Sequence, residues 1–501
     1  MGESLTINYG IINLNDKKIM FQGTGSDVGK SMVVAGFCRA LKKQNMSPAP
    51  FKPQNMSNNA GITIDGGEIG RAQILQARAC NIEPHTDMNP VLLKPQSNMG
   101  SQVVVQGKVL QNCKSEYFRK LKPKFMQAVL ESFNRLTDSY DIVVVEGAGS
   151  PAEINLREGD IANMGFATET NTPVILVVDV DRGGSIASVV GTYNLLPENE
   201  KKLIVGYIIN KFRGDISLYK GAIDEITNRT NLKCFGILPW FEQAKLLPAE
   251  DGLGLDNLKH KNIKTNFKIC VLRTPRISNF DDLDPLFQTK NITVQVIENG
   301  QALPIDCDMI LLVGSKSTIS DLKYIKDCGW QNDIISHYRR GGFVMGICGG
   351  YQMLGKKLSD PKNYESNIKS IDGIGLLDCE TTMSDNKNLS PYVGIDTITG
   401  TKFNGYEMHM GITTGNDTNN PFSIDINNKK DGAISGCGKV FGSYVHSIFN
   451  DDDFRQNFLK KITGFEIEKQ SYNKNVETTL DELACHIEKY IDIDEILKIS
   501  Y

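Results

Sequence analysis

The nine residues Gly23–Ser31, GTGSDVGKS, constrain this chain more than any other stretch. The apolar pair Ile19-Met20 precedes them and Met32-Val33-Val34-Ala35-Gly36-Phe37 follows. That is the order strand, glycine-rich turn, helix start. Successive N–H groups in such a turn point inward and hold phosphate oxygens; Lys30 adds a positive charge, and the Ser31 hydroxyl is a ligand for Mg²⁺. The usual spacing needs glycine at position 24, where Thr24 stands, and Gly23 comes one residue early. The loop is therefore one residue longer than the common pattern. The nucleotide-binding candidates here are Gly23, Thr24, Gly29, Lys30 and Ser31.

A strand-turn-helix start of this kind belongs to an α/β architecture, and the next 200 or so residues agree. Near-continuous apolar runs at Lys18–Gln22, Pro48–Phe51, Ile142–Glu146, Pro173–Asp179 and Leu203–Asn210 read as parallel strands covered on both faces. Helical patterns fall at Lys30–Gln44, Ile69–Ala79, Ser115–Thr137 and Leu218–Thr230. The expectation is a doubly wound domain over 18–240, with ligands at the carboxyl ends of its strands. Residues 241–266, with Gly252, Gly254 and the basic run Lys259–Lys264, read as a linker. A second alternation, Lys268–Arg273, Ile292–Val296, Met309–Val313 and Gly342–Gly346, opens another α/β domain over 267–464. It turns strand-rich after Leu376. Residues 465–501 read as a helical tail, its helix over Thr478–Ile499 starting at a capping box of Thr479 and Glu482.

Composition excludes several classes. A length of 501 residues suits roughly two to four domains. A net charge of −4 argues against a nucleic-acid partner bound by phosphate neutralisation. No apolar segment approaches the length of a membrane span. The start, MGESLTINYG, lacks the pattern of a signal peptide; Gly2 and Thr6 match a myristoylation pattern, read as chance because no polybasic patch follows. The 11 cysteines are scattered, as buried thiols in a reducing compartment would be, and the cytoplasm is the expected location.

Three further strand ends carry chemistry. Ile142–Glu146 runs into Gly147-Ala148-Gly149, placing Glu146 to bind Mg²⁺ beside the phosphate loop. The next ends in Asp179-Val180-Asp181-Arg182-Gly183-Gly184, where Asp179 or Asp181 suits a metal and Arg182 a transferring phosphoryl group. Asn210-Lys211 ends another, where a base-binding amide would sit. Polar runs containing Lys52, Gln54, Asn55, Arg71 and Lys94 set cations among amides, suiting a substrate rich in carboxylates.

In the second domain, Gly341–Gln352 (GGFVMGICGGYQ) runs an apolar strand into a small-residue turn holding Cys348 before a helix. This is a nucleophile elbow in cysteine form, the thiol at a helix start and the N–H of Gly349 suited to an oxyanion hole. The turn at Gly314 suits the second donor. Of six histidines, His446 or His409 suits the base and spacing does not choose between them; His337 reads as structural.

These motifs resemble the glutamine-hydrolysing cobyric acid synthase family of cobalamin biosynthesis. The resemblance is carried by FKPQNMSNN, DGGEIGRAQ, NPVLLKP, VVEGAGSPAEINL, DVDRGGSIAS, GICGGYQMLG, YEMHMG and GSYVHSIF, spanning Lys18 to Gly464. The long loop also looks like that of dethiobiotin synthetases, which use ATP to activate a carboxylate. The resemblance implies an ATP- and Mg²⁺-dependent amide-forming synthetase followed by a class I type glutaminase, with Cys348 as nucleophile and His446 as base. The wider glutaminases carry Glu two residues after that histidine; here Ile448 stands there, leaving a backbone carbonyl or Glu407 to orient the ring. The implied acceptor is adenosylcobyrinic acid a,c-diamide, amidated at its b, d, e and g carboxylates, the corrinoid being substrate and not cofactor. The implied partners are glutamine, ATP and the corrinoid, perhaps with a second copy of the chain. The alternatives are the sister a,c-diamide synthase, or a P-loop switch ATPase with an inactive glutaminase domain.

Overall fold

The computed structural model describes residues 17–97, 100–248 and 266–500, with the main chain alone for 96–97, 111–123 and 386. Gly2, Thr6, Gly252, Gly254 and Lys259–Lys264 lie outside the described residues. Six strands form the first sheet: β1 (Lys17–Gly23), β2 (Pro48–Phe51), β3 (Ile142–Glu146), β4 (Val174–Asp179), β5 (Ile204–Phe212) and β6 (Lys233–Pro239). Their order is β6-β5-β4-β1-β3-β2, every neighbouring pair parallel. All residues of β3 and β4 are buried, which is why they read as unbroken Val/Ile runs. The strand order reverses at β1, so the loops after β1, β3 and β4 converge at a topological switch point.

Sequence reasoning missed β6. Its pattern KCFGILP is broken by Gly236, where an added Cβ would lie 2.0 Å from the Tyr490 carbonyl oxygen. The glycine is there to admit the end of the chain. Also missed was a four-stranded sheet, Gln54–Met56, Val91–Ser97, Gly100–Val105 and Lys108–Lys114, read in part as polar loops because its strands are short and rich in amides and lysines.

The second domain has parallel strands β7 (Phe267–Leu272), β8 (Ile292–Ile297), β9 (Met309–Leu312), β10 (Phe343–Ile347) and β11 (Val440–Ser443), ordered β8-β7-β9-β10-β11. A long antiparallel pair, Cys379–Asp396 with Lys402–Gly415, stands beside it. Val445–His446 pairs onto the latter, Tyr406 opposite His446.

The C-terminal segment is not a peripheral tail. The helix Tyr472–Tyr490 starts at Ser471, whose hydroxyl accepts from the Lys474 N–H. Thr479 is well inside it and bonds back to the Asn475 carbonyl at 2.8 Å; the Thr-x-x-Glu pattern was a mid-helix coincidence. Leu480, Leu483 and Ile487 are buried in one core with Val33, Phe37 and Leu41 of the helix Lys30–Lys43 that follows the phosphate loop. Gly36 permits the approach, since a Cβ there would lie 2.7 Å from Ile487. Arg39 bridges Glu477 and Asp481 at 2.8 Å each. The first domain is thus closed by the end of the chain. Among the described residues no helix is long and apolar enough to cross a membrane.

Candidate active site

The structure has two centres, one in each domain. The first lies at the end of β1. Gly29 takes φ 90° and caps the helix Lys30–Lys43; a Cβ on it would strike the Asn210 amide at 2.4 Å. Asn210 donates to the Val28 carbonyl at 2.8 Å and so braces the loop from β5. The Lys30 ammonium curls back toward the Gly25 and Gly149 carbonyls, 3.3 and 3.2 Å away. It passes so close to Gly23 that a Cβ there would lie 2.7 Å from it, a physical reason for glycine at 23. The Thr24 N–H is spent on the Val177 carbonyl of β4 at 3.0 Å.

The Ser31 hydroxyl donates to Glu146 at 2.8 Å. Glu146 is 1% exposed and also takes Lys52 Nζ at 2.9 Å and Gln76 Nε2 at 2.6 Å. Hard oxygens from a P-loop serine and a strand-end carboxylate, meeting beside the loop, are the donor set a Mg²⁺–nucleotide complex requires. Asp179 is differently engaged: its carboxylate holds Lys211 Nζ and the Asp181 N–H, both at 2.8 Å. Arg182 is largely exposed at the loop's mouth, 3.6 Å from Asp27. A cavity of about 560 Å³, bordered by Ser26, Gln54, Gly149 and Ser150, opens beside this centre.

Three residues expected to hold substrate carboxylates sit elsewhere. Asn55 is buried, donating to Gln73 at 3.0 Å. Arg71 pairs with Asp281 of the second domain at 2.5 Å. Lys94 pairs with Glu68 at 2.9 Å and lines the pocket beside Cys348. Sequence alone could not separate them from Lys52, because the four-stranded sheet that carries or adjoins them turns one face to each domain.

The second centre is the elbow after β10. Cys348 has φ 52° and ψ −109°, a strained conformation for a residue with a side chain. Gly350 lets the turn pass β9: a Cβ there would lie 2.0 Å from the Leu312 carbonyl oxygen. Cys348 Sγ is 3.5 Å from the Met408 carbonyl and lines one pocket with His446. A Cβ on Gly349 would lie 2.9 Å from the Ser315 nitrogen, and one on Gly314 would lie 3.1 Å from the His446 ring. The elbow and the Gly314 turn therefore close around the thiol.

The group that orients His446 is Asp282, on the short turn Phe280–Leu283 after β7. It accepts from His446 Nδ1 at 2.7 Å and from the Ser447 N–H at 2.5 Å. Burial alone would lower the imidazole, but the charges of Asp282 and Cys348 outweigh it and hold His446 up at about 10. Neither orienting group expected from sequence serves: Glu407 instead holds Asn388 and Lys429. Asp282 was missed because the acid lies 164 residues before its histidine, with no local motif to flag it. His409 stacks on Tyr444 at 3.7 Å and is pushed down to about 4, chiefly by burial. His337 bonds the Phe343 carbonyl at 3.0 Å, a packing role.

An ionic cluster surrounds the Cys348 pocket: Lys94 from the first domain and half-buried Lys316, Glu365 and Lys387 from the second line it, and buried Glu68 pairs with Lys94 and Lys387 behind them. Burial would raise Glu68, but Lys387 and Lys94 hold it well below the usual carboxylate range. Desolvation, then the like charges of Lys94 and Lys387, push Lys316 down to about 7. Its ammonium donates to Gln102 at 2.7 Å.

A cysteine elbow with a histidine–aspartate pair, joined to a P-loop sheet with an acid beside the loop, defines a glutamine amidotransferase fused to a nucleotide-binding domain. Family models agree: residues 268–454 match a CobB/CobQ-like glutamine amidotransferase domain and residues 19–253 a CobQ/CobB/MinD/ParA nucleotide binding domain. Cobyric acid synthase of Jannaschia sp. (strain CCS1) is 51% identical over 483 residues, covering 96% of this chain and 99% of that protein. That of Brucella anthropi is 49% identical, covering 97% of this chain and 100% of that protein. The chain belongs to the cobyric acid synthase family, and it is a glutamine-hydrolysing carbon–nitrogen ligase.

Proposed function

We propose that this chain uses ATP and glutamine to amidate the b, d, e and g carboxylates of adenosylcobyrinic acid a,c-diamide, in the cytoplasm. The observation that carries the reading is the pairing of Cys348–His446–Asp282 with a phosphate loop whose Ser31 meets Glu146. A carboxylate resists amines because its leaving group would be oxide. Phosphoryl transfer from ATP to the substrate carboxylate gives an acyl phosphate with a good leaving group. Lys30 is the cation at the transferred phosphoryl, and Lys52, beside Glu146, is near enough to hold the substrate carboxylate.

Ser31 and Glu146 would hold Mg²⁺, which supplies charge neutralisation to the phosphates. Ionised Cys348 attacks the glutamine side-chain amide while His446, protonated on Nε2 and held through Nδ1 by Asp282, gives its proton to the leaving ammonia. Gly349 and the Gly314 turn supply donors for the oxyanion. His446 then takes a proton from water as the thioester is hydrolysed to glutamate. The excess of lysine over carboxylate around the pocket suits the α-carboxylate of glutamine, with Lys94 serving there.

The test offers the purified chain cobyrinic acid or its a,c-diamide with ATP and glutamine, and follows mass. A gain of four amide groups on the a,c-diamide is the expected result. Amidation of cobyrinic acid alone identifies the sister synthase instead, and ATP turnover without glutamate release identifies a switch.

A further inference from the structure

Arg71 is the first residue of the helix Arg71–Cys80, in the first domain. Its guanidinium lies 2.5 Å from Asp281 in the second. The next residue, Asp282, holds His446. Asp281 and Asp282 are 1% and 0% exposed, and neither oxygen of Asp281 takes a conventional hydrogen bond among the described residues. Asp284, one turn on, is half-buried and pushed well up, chiefly by desolvation. Two adjacent carboxylates out of water, with a third beside them, cannot all stay charged unassisted. His446 balances Asp282, and the guanidinium of Arg71 balances Asp281. Without that cation the turn Phe280–Leu283 must take up a proton or move toward water, and either change disturbs the acid that aims the catalytic imidazole.

The same helix touches the other centre. Gln76 lies five residues on, about 7.5 Å along the axis, and donates to Glu146 at 2.6 Å and to the Ser31 carbonyl at 3.4 Å. One short helix therefore touches the acid beside the phosphate loop from its middle and the turn behind His446 from its first residue. If Glu146 exchanges Ser31 and Lys52 for a metal–nucleotide complex, the Gln76 contact conveys the change to the helix.

We propose that Arg71 is a positioning residue of the glutaminase lent by the synthetase domain, and that the helix Arg71–Cys80 couples nucleotide binding to the Asp282–His446 pair. The inference rests on the functional reading above. It assigns to this protein a route by which glutamine is hydrolysed fastest when the synthetase site is loaded, so that ammonia is not wasted. A guanidinium serves better than an ammonium here because its planar fork reaches a carboxylate with fixed direction.

The experiment compares wild type, Arg71→Met and Arg71→Lys as full chains whose thermal melts are checked. Glutamate release is measured with and without Mg²⁺ and a non-hydrolysable ATP analogue, and amidation of the a,c-diamide is driven separately by ammonium. In wild type the analogue is expected to raise glutaminase kcat. Arg71→Met is expected to lower that kcat by about tenfold to a hundredfold with KM little changed, the scale of a small misplacement transmitted to reacting groups. It should abolish the rise while ammonium-driven amidation stays within twofold, and Arg71→Lys should recover part of both. The proposal is overturned if Arg71→Met keeps wild-type kcat and its rise, if ammonium-driven amidation falls in parallel with glutamine hydrolysis, or if the wild-type rate ignores the analogue. A wild type that hydrolyses no glutamine at all overturns the functional reading itself.

Discussion

Asp282→Asn isolates the orienting acid with almost no change of volume. His446 sits at about 10 against an ordinary 6.5, a gap worth roughly 5 kcal/mol in favour of the imidazolium. Burial opposes that preference, and Asp282 is the largest contribution in its favour. Replacing the carboxylate by a neutral amide leaves only Cys348 against burial, and the imidazole falls from its raised value. The amide also presents N–H or C=O to Nδ1 without fixing the tautomer, so Nε2 is no longer reliably a donor to leaving ammonia. Removal of the equivalent charge in a serine triad costs on the order of 10⁴ in kcat. A thiol needs less help to ionise, so a loss of roughly 10²–10³ is expected here.

The assay is glutamate release at saturating glutamine, run beside ammonium-driven amidation, which should be unchanged. The same pair has a stability signature. The folded value of His446 is raised, so its contribution is full below about pH 6.5 and is lost as pH rises through about 10. Wild type should therefore lose melting temperature between pH 7 and 10 more steeply than Asp282→Asn. Glutamine hydrolysis within threefold of wild type, or parallel stability curves, refutes the assignment of Asp282.

Other substitutions divide the two centres. Cys348→Ser should abolish glutamine-driven amidation and spare synthesis from ammonium, whereas Lys30→Ala should stop synthesis from either nitrogen source; both are read by product mass. Glu146→Gln should raise the Mg²⁺ concentration for half-maximal ATP use by tenfold or more, since a carboxylate is the chief protein donor proposed for the metal. Leu480→Ala, in a helix remote from both sites in sequence, should cost about 2–5 kcal/mol in urea unfolding of the first domain because Leu480 is fully buried. A cost below 1 kcal/mol would mean that the C-terminal helix does not complete that core.

The sequence was enough for the strand-to-helix turns and for most strands of the parallel sheets, though not for the Thr479–Glu482 spacing, which fell inside a helix. The two parallel sheets were legible because strands buried on both faces must be apolar throughout, and β2 and β3 were located to the residue. The loop Gly23–Ser31 and the Cys348 elbow were legible because a sharp strand-to-helix turn admits few residue types. Tertiary structure alone decided which distant groups meet. Asp282 reaches His446 from the turn Phe280–Leu283, Arg71 crosses to Asp281 of the second domain, and the helix Tyr472–Tyr490 returns to cover the helix behind the phosphate loop. The physical reason is common to all three. A charge or an apolar face states only that it needs a partner, and nothing in its own neighbourhood along the chain names the partner that folding will bring.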